Sequence, residues 1–312
     1  MPEAPARGLC DAERDARAAL RADPVTVALA DGSFRSVPGG LSNFAWQVSC
    51  DGGGEYFVRL ARGHGEGLGA DHVNERRVLE LTSRAGLSPP VVRCDPAARL
   101  LVTQWVDARR VGRPLRSAKG LTLVAHSLAS LHTLPAPHDL RAVYFAAQAK
   151  ALEPAFEPGR TESLLSARAV EVFAALRAGL TSPALCHHDL NPLNLLTDAS
   201  GRLWLVDWEY AGIGDTAFDL ASFSSQHGLE SRHRSVLVDA YRAAGGRVEP
   251  VRVERALWAF DYVQWLWYRA ALAQPGAGID TESARRRADR LATSLRRRAS
   301  RVLRCNNATF AE

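Results

Sequence analysis

The sequence contains little cysteine, and its cysteines lack the spacing of a disulfide framework or a metal site. Five cysteines are spread along the 312 residues, at Cys10, Cys50, Cys94, Cys186 and Cys305. Disulfide-rich domains use an even number of closely spaced cysteines, and zinc sites use pairs of the C-x-x-C kind. The cysteine pattern therefore argues against both classes and indicates a reducing compartment.

Long apolar stretches are also lacking. A helix that crosses a bilayer needs about 20 consecutive apolar residues. The nearest approach, residues 261–273, is shorter and contains Asp261, Gln264 and Arg269. The N-terminal segment carries no apolar core behind a basic start, which a secretory signal requires. We therefore expect a cytoplasmic protein without a membrane span.

Signatures of nucleic-acid binding are absent as well. The formal net charge is +5 and the isoelectric point is near 9.2, but the arginines are spread along the chain, and many lie in its last helical segment. A nucleic-acid-binding surface combines basic residues with exposed aromatic residues or a recognisable motif, and no such motif occurs. We expect a small-molecule substrate and no nucleic-acid partner.

The N-terminal third of the sequence combines strand-like runs with helices. After a short first helix, residues 25–61 are β-rich runs divided by glycine, serine and proline clusters, which predicts antiparallel strands with short turns. Residues 71–86 have apolar residues at helical spacing and end in Gly86, a common helix stop. Two further strands are predicted around a turn at Asp95 and Pro96. Together these elements predict a small antiparallel sheet with one helix.

Beyond residue 106 the pattern becomes mainly helical. Helices are predicted over residues 117–134, 162–179, 216–228, 232–244, 251–273 and 280–304. Two short strands interrupt them, near residues 183–189 and 203–209. The change in pattern predicts an α+β fold with two lobes, residues 1–106 and residues 107–312.

A cluster of polar residues follows the first of these two strands. His187, Asp189 and Asn194 form an H-x-D-x-x-x-x-N pattern within LCHHDLNPLNLL, and Asp207 ends an apolar strand 13 residues after Asn194. A carboxylate can orient an acceptor hydroxyl and take its proton, whereas an amide and a second carboxylate offer the hard oxygens that Mg²⁺ prefers. The pattern predicts phosphoryl transfer from a nucleotide, with Asp189 as base and Asn194 and Asp207 as magnesium ligands.

These segments resemble the aminoglycoside phosphotransferase and choline kinase family, which has the bilobal protein-kinase-like fold. The resemblance is carried by CHHDLNPLNLL and LWLVDWEYAGIGDTAFDLASF, extends over residues 25–273, and is similar to the bacterial choline and thiamine kinase-like branch. It implies ATP and Mg²⁺ as cofactors, Asp189 as the catalytic aspartate, and Asn194 and Asp207 as metal ligands.

The resemblance also assigns roles to residues around the catalytic loop. It implies that His187 is structural and that Asp219 stabilises the loop, while a general base at His187 is a second interpretation. His188 is predicted either to face solvent or to contact the substrate. Glu209, two residues after a metal ligand, is predicted to contact a second metal ion or the acceptor.

The N-terminal lobe contains a candidate phosphate-binding loop. Gly39 and Gly40 lie at a predicted turn between strands, where exposed backbone amides can approach phosphates. The segment resembles the glycine-containing loop of choline kinase relatives. This resemblance implies that Ser42 and Asn43 are also phosphate neighbours.

Further nucleotide contacts are expected from a charged pair and a hinge. Arg59 falls where protein kinases carry a phosphate-binding lysine, and its fixed charge suits phosphates. Glu75, on the predicted helix, is the expected partner of Arg59, and a surface position on that helix is the other interpretation. The TQWVD segment is the predicted hinge, in which Gln104 and Val106 meet adenine.

The helical segment 251–273 places aromatic residues on one face. Trp258, Tyr262 and Trp265 share this face, and Asp261 lies at its edge. Such a stripe is either part of the core or a site for a quaternary ammonium or thiazolium cation. The family resemblance implies that this helix lines the acceptor pocket.

The sequence thus predicts an ATP-dependent kinase that phosphorylates a hydroxyl of choline or a related cationic amino alcohol. Thiamine is the second candidate acceptor and an aminoglycoside the third. A nucleotide-binding pseudokinase is the alternative from another class, but such proteins usually lose one of the two aspartates or the asparagine, and all three are present. Protein-kinase activity is not expected, because no D-F-G or A-P-E motif accompanies Asp207.

Overall fold

A computed structural model describes residues 4–38, 43–61, 71–110, 113–137, 139–153, 159–180, 182–273 and 280–304. The chain divides into two units, of which the first comprises Met1–Val111 and Leu193–Ala211. The second comprises Gly112–Pro192 and Gly212–Glu312. A later segment thus joins the first unit, whereas the sequence pattern predicted a single division near residue 106. The nucleotide-binding and acceptor-binding roles of the two lobes stay predictions.

A five-stranded antiparallel sheet forms the centre of the first unit. Its strands are β1 (Ser33–Ser36), β2 (Asn43–Ser49), β3 (Glu55–Ala61), β4 (Val91–Asp95) and β5 (Leu100–Gln104), in the order β1-β2-β3-β5-β4. Trp46 and Val48 on β2 are buried, and they share one core cluster with Ala16 and Leu20 of helix α1 (Ala4–Arg21). The predicted small antiparallel sheet is confirmed.

One predicted strand in this region is wrong. Val27–Asp31 is a short 3-10 helix, although the β-rich composition of residues 25–34 predicted a strand. Leu29 and Ala30 are adjacent and both buried, whereas a strand places neighbouring side chains on opposite faces. The Thr26 hydroxyl also donates to the carbonyl of Leu20 on α1 at 3.1 Å. Contact with α1 therefore overrides the local strand propensity.

Helix α2 (His72–Arg84) has the predicted start and end. The side chain of Asp71 caps its N-terminus by accepting a hydrogen bond from the amide of Asn74, and Gly86 follows its C-terminus with φ of 69°. This conformation favours glycine because a Cβ would be strained there. The cap places Glu75 in the first turn, where its side chain is buried.

A three-stranded sheet completes the first unit. It contains β6 (Ala108–Arg110), β8 (Leu195–Asp198) and β9 (Leu203–Leu205), paired antiparallel in the order β6-β8-β9. Only β9 was predicted from the sequence. The turn between β8 and β9 is closed by Asp198, whose carboxylate accepts hydrogen bonds from the amides of Ser200 and Arg202. This hairpin carries both predicted metal ligands at its ends.

The second unit is mainly helical. Its helices are α3 (Ala118–His132), α4 (Phe145–Leu152), α5 (Arg160–Ala178), α6 (Ala217–Gln226), α7 (Ser231–Ala243), α8 (Pro250–Ala273) and α9 (Thr281–Ala299). Two short strands, β7 (Ala184–Cys186) and β10 (Gly212–Gly214), pair antiparallel. Helix α4 and strand β10 were not predicted, because each is too short to show a clear periodicity.

The element content confirms the predicted α+β class. Within the part of the chain that the structure describes, no helix has both the length and the hydropathy of a membrane span. Helix α9 packs Leu291 and Leu295 into the interior of the second unit and leaves arginines on its outer face.

Candidate active site

The catalytic loop belongs to the second unit and begins directly after the buried strand β7. The amide of Asp189 donates to Nδ1 of His187 at 3.3 Å, and Nδ2 of Asn191 donates to the Asp189 carboxylate at 2.9 Å. The amide of Leu190 donates to the hydroxyl of Ser222 at 3.1 Å. These bonds hold Asp189 in a half-buried position, with a fully buried leucine beside it.

Asp219 on α6 holds the backbone of this loop. Its carboxylate accepts hydrogen bonds from the amides of His187 at 2.8 Å and of His188 at 2.7 Å. Burial by itself raises the pKa of Asp219, but the hydrogen bond from His132 and the neighbouring imidazoles hold that pKa well below its usual range. Asp219 therefore remains an anion, and its predicted loop-stabilising role is confirmed.

A buried pair of side chains supports Asp219 from behind. Nε2 of His132, at the end of α3, lies 3.1 Å from the Asp219 carboxylate, and Nδ1 lies 2.8 Å from the hydroxyl of Tyr241 on α7. If the Tyr241 hydroxyl donates to Nδ1, the Nε2–H of a neutral imidazole donates to Asp219. Sequence analysis missed both residues. The only signal was a histidine within an otherwise apolar helix end.

His188 does not face solvent, so that interpretation is wrong. The residue is 5% exposed, has φ of 66°, and packs its ring edge-on against Phe145. A Cβ at position 214 would lie 2.7 Å from the ring, so Gly214 is required for this packing. Among the described residues neither ring nitrogen has a hydrogen-bond partner, and burial lowers the pKa of His188 to about 4. The imidazole is neutral at physiological pH.

The predicted metal ligands belong to the first unit. The amide of Val206 donates to the carbonyl of Asn194 at 3.0 Å, which brings the start of β8 next to Asp207 at the end of β9. Asp207 has φ of 65° and a side chain that is 32% exposed. A carboxylate and an amide at adjacent ends of one hairpin form a hard-oxygen donor set. This set fits Mg²⁺.

Arg59 joins Asp207 to helix α2. Its Nη1 and Nη2 bond the two carboxylate oxygens of Glu75 at 2.9 and 2.6 Å, and Nη1 also lies 2.9 Å from the Asp207 carboxylate. Burial alone would lower the pKa of Arg59, but Glu75 and Asp207 raise it above its ordinary value. Burial likewise opposes ionisation of Glu75, yet Arg59 holds the pKa of that carboxyl below its usual range. The predicted pairing of Arg59 with Glu75 is present in the structure.

Glu209 and Asn43 extend this cluster. Nδ2 of Asn43 lies 3.3 Å from the Glu209 carboxylate, and Glu209 is 3% exposed. Burial raises the pKa of Glu209, although Arg59 acts in the opposite direction. Among the described residues, Nε of Arg59 and Oδ1 of Asn43 are buried without a hydrogen-bond partner. The predicted loop residues Gly39, Gly40 and Ser42 lie outside the described residues.

The predicted hinge lines an open cavity of about 420 Å³ within the first unit. Its lining comprises Pro90, Gln104, Trp105, Val106, Asp107, Asp198, Ala199, Ser200 and Trp204. The amide of Gln104 donates to the carbonyl of Pro90 and the amide of Trp105 to that of Glu55, both at 2.8 Å. These bonds fix the hinge backbone at the end of β5. Adenine contacts of Gln104 and Val106 stay a prediction.

The aromatic stripe on α8 is buried. Trp258, Tyr262 and Trp265 are 0%, 1% and 2% exposed, and the Trp258 and Tyr262 rings are stacked with centroids 5.7 Å apart. Nε1 of Trp258 donates to the carbonyl of Leu295 on α9 at 3.1 Å, and the Tyr262 hydroxyl donates to Glu153 at 2.9 Å. These contacts favour the core interpretation over a cation site.

Two acidic residues of the second unit, Asp261 and Asp215, have arginine partners. Asp261 on α8 is bonded by Arg298 of α9 and by the Ser225 hydroxyl. Asp215 is bonded by Arg252, with the closer contact at 2.6 Å. A carboxylate neutralised by a guanidinium offers little attraction to a second cation. Asp261 thus links α8 to α9, and its predicted acceptor role stays a prediction.

The sequence matches a known enzyme family. The model of the phosphotransferase enzyme family (APH) matches residues 33–258. Protein LicA of Haemophilus influenzae is 38% identical over 56 residues, which are 18% of this chain and 21% of that protein. The match thus spans about a fifth of this relative.

Solved structures share the fold over most of the chain. A choline/ethanolamine kinase family protein from Mesorhizobium loti has a TM-score of 0.76 at 24% identity, covering 94% of this chain and 99% of that chain. The choline kinase LicA from Streptococcus pneumoniae has a TM-score of 0.72 at 20% identity, covering 85% of this chain and 93% of that chain. These likenesses confirm the predicted fold.

Proposed function

The chain belongs to the phosphotransferase enzyme family. From this premise we propose that it transfers phosphate to a hydroxyl acceptor, with ATP as its donor and choline or a related cationic amino alcohol as its acceptor. The proposal assigns base chemistry to the catalytic loop of the second unit. It assigns phosphate and metal binding to the charged cluster of the first unit. The family match covers both segments.

Asp189 acts on the acceptor. Its carboxylate orients the acceptor hydroxyl and takes the proton while the hydroxyl oxygen attacks the γ-phosphorus of ATP. A bond forms between that oxygen and phosphorus, the bond from phosphorus to the bridging oxygen breaks, and ADP leaves with the electron pair. The contacts of the loop with Asp219 and Ser222 support this role, because they hold the loop before the substrate arrives.

The cluster around Arg59 binds the nucleotide phosphates. Asn194 and Asp207 are the residues that would hold Mg²⁺, which neutralises charge on the phosphates when it is bound. Arg59 orients Asp207, and Glu75 orients Arg59. Asn43 and the preceding glycine-containing loop add phosphate contacts, and the Gln104 to Val106 hinge binds adenine.

The observation that carries the phosphate-site proposal is an unsatisfied donor in this cluster, Nε of Arg59. Nε of Arg59 and Oδ1 of Asn43 are buried, and neither has a hydrogen-bond partner among the described residues. Buried polar groups are nearly always hydrogen-bonded in native proteins, so exceptions indicate a ligand or an ordered water. An arginine donor suits a phosphate oxygen.

The acceptor is proposed from two kinds of support. The structures from Mesorhizobium loti and Streptococcus pneumoniae are named as choline or ethanolamine kinases, and both cover most of the chain. A segment of the chain is also 38% identical to Protein LicA. Thiamine and aminoglycosides, the other acceptors predicted from the sequence, are therefore included in the test.

The test measures ADP release by the purified protein with Mg-ATP and each of several acceptors. The panel contains choline, ethanolamine, thiamine, an amino sugar and an aminoglycoside, and each product is identified by mass as a phosphate ester. We expect choline or ethanolamine to stimulate ADP release. Asp31→Ala serves as the matched control for Asp189→Ala, because the Asp31 side chain is 81% exposed.

Each outcome has a distinct meaning. Stimulation by thiamine or an aminoglycoside alone would replace the proposed acceptor but keep the proposed chemistry. Nucleotide binding without stimulation by any acceptor would favour a pseudokinase. Undiminished turnover by Asp189→Ala would contradict the assignment of Asp189 as the general base.

A further inference from the structure

Two hydrogen bonds fasten the start of α2 to the segment that follows Asp207. The amide of Asp71 donates to the carbonyl of Glu209 at 3.1 Å, and Nδ2 of Asn74 donates to the carbonyl of Ala211 at 2.8 Å. Asn74 is 5% exposed, so its bond is shielded from water. Both bonds lie within the first unit and connect residues that are more than 130 positions apart in sequence.

The segment that these bonds hold is not regular secondary structure. Residues 206–211 lie between β9 and β10 and belong to neither strand. Asp207 has φ of 65°, a left-handed conformation that costs free energy for a residue with a Cβ. Such a conformation persists only when surrounding contacts determine it. The contacts of Asp71 and Asn74 with Glu209 and Ala211 are of this kind.

The other end of α2 is fastened to the same hairpin. The carbonyl of Leu87, just after the helix, accepts a hydrogen bond from the amide of Leu205 at 2.9 Å. The guanidinium of Arg202 bonds the carbonyl of Gly86 at 2.5 Å. The segment from Leu205 to Ala211 is therefore attached to α2 at both ends, with Asp207 between the two attachments.

Asn74 directly precedes Glu75 in the sequence. Glu75 bonds Arg59, and Arg59 bonds the Asp207 side chain. The side chain of Asp207 is thus held through Arg59, whereas the backbone after it is held through Asn74. A single turn of α2 therefore controls both the side chain and the backbone of one metal ligand.

We propose that Asn74 is a positioning residue for magnesium binding, because its amide donor keeps the 207–211 segment in the conformation that presents the Asp207 carboxylate. The inference rests on the proposed function, in which Asp207 is a metal ligand. Residues that orient metal ligands typically change metal affinity or activity by about 10- to 100-fold when mutated. Asn74 has no assigned part in phosphate or acceptor binding.

The test compares Asn74→Asp and Asn74→Ala with a matched control on the same helix. Asn74→Asp keeps the shape but removes the amide donor, and Asn74→Gln retains a donor on a longer side chain. Thr82→Val is the control, because Thr82 is buried on α2 and its hydroxyl bonds Val78 and Ser88 rather than residues 207–211. Thermal melts first establish that each variant is folded.

The first readout is equilibrium binding of ATP by calorimetry, with Mg²⁺ and with EDTA. We expect Asn74→Asp and Asn74→Ala to weaken binding by about tenfold or more with Mg²⁺, and much less with EDTA, as for other residues that orient metal ligands. Asn74→Gln should recover part of the loss, and Thr82→Val should bind like the wild type. Equal binding by Asn74→Ala and Thr82→Val would overturn the proposal.

The second readout is amide hydrogen exchange, which requires neither nucleotide nor catalysis. The amide of Asp71 donates to Glu209, so its exchange reports directly on the attachment. Loss of one buried hydrogen bond should accelerate exchange at Asp71 and Ala211 by about tenfold in Asn74→Ala relative to Thr82→Val. Unchanged exchange would refute the positioning role. If the wild type binds no Mg-nucleotide but exchange responds as expected, the proposed function fails while the attachment stands.

Discussion

The two predicted carboxylates are held in different ways in the two units. Asp207, in the first unit, is bonded by the buried cation Arg59, which is itself bonded by Glu75. Asp189, in the second unit, directly follows two residues whose backbone amides donate hydrogen bonds to Asp219. Its own carboxylate accepts a hydrogen bond from the neutral side-chain amide of Asn191. Asp207 thus has a cation among its partners, whereas the hydrogen bonds described here for the Asp189 loop come from uncharged donors.

The difference matches what each proposed role requires. A cation in contact with a carboxylate favours its ionised form and lowers its affinity for a proton. A metal ligand must stay ionised, so a neighbouring guanidinium is compatible with it. A general base must accept a proton, so support through the backbone and a neutral amide is the better arrangement. Similar side chains thus acquire different chemistry from the groups that hold them.

Substitution of either carboxylate gives the largest expected effect, and the step that is affected differs between the two units. Asp189→Ala should lower kcat by about 10²- to 10⁴-fold, the usual contribution of a general base, without changing the affinity for Mg-ATP. Asp207→Asn should instead weaken Mg-ATP binding and raise the Mg²⁺ concentration needed for half-maximal binding. Both are measured by steady-state kinetics and by calorimetry. Similar changes in affinity for the two variants would remove the distinction between the units.

Removing the buried Arg59 should lower the free energy of unfolding more than removing an exposed arginine. Arg59→Met removes the guanidinium partner of the buried Glu75 and leaves only His72 Nδ1, at 3.0 Å, beside that carboxylate. Breaking a buried pair in this way destabilises a protein by about 3–5 kcal/mol. Arg21→Met is the control, since Arg21 and its partner Asp31 are 55% and 81% exposed and such pairs contribute about 0–1 kcal/mol. Urea unfolding measures both. Equal losses would show that the Arg59 cluster is held by contacts other than charge.

The second unit should lose stability as the pH falls. Burial lowers the pKa of His188 from 6.5 to about 4, so between these values the unfolded chain binds more protons at this residue than the folded chain does. Stability from His188 is therefore present above about pH 6.5 and is lost as the pH falls towards 4, by up to about 3 kcal/mol. His188→Asn, which tolerates the left-handed conformation, should reduce this pH dependence.

The measurement for His188 is urea unfolding of wild type and His188→Asn across this pH range. Asp219 has a depressed pKa, so its contribution is also lost on acidification and remains in both proteins. His227, whose pKa burial lowers to about 4, likewise remains in both. Identical pH slopes for the two proteins would contradict the neutral buried state of His188.

The smallest expected effect concerns the support behind Asp219. Tyr241→Phe keeps the buried ring but removes the hydroxyl that lies 2.8 Å from His132, which should cost about 1 kcal/mol. It should also lower kcat a few-fold while leaving the affinity for Mg-ATP unchanged, because only the second unit is altered. Tyr144→Phe is the control, since Tyr144 is 63% exposed. A change in the affinity for Mg-ATP without a change in kcat would contradict the proposed support of the catalytic loop by Tyr241.

Local sequence was sufficient for most of the longer elements and for the catalytic pattern, but not for α4, β6, β8, β10 or the 3-10 helix Val27–Asp31. The strands β2 to β5, the helix stop at Gly86 and the mainly helical second half were predicted because side-chain periodicity reports directly on strand or helix geometry. The pairing of Arg59 with Glu75 was also predicted, but from the resemblance to protein kinases. Periodicity alone indicates which face is apolar and does not name the partner of a polar atom.

The tertiary structure decided which polar groups meet. His132 reaches Asp219 and Tyr241 across 87 and 109 positions of sequence, and Asp261 reaches Arg298 across 37. The aromatic stripe on α8 is compatible by sequence with a core or with a cation site, and the contact of Trp258 with α9 favours the core. Sequence by itself determined most of the longer elements and the chemical inventory, because these depend mainly on neighbours along the chain. The partners of each buried charge depend on packing between distant elements, and only the folded structure specifies that packing.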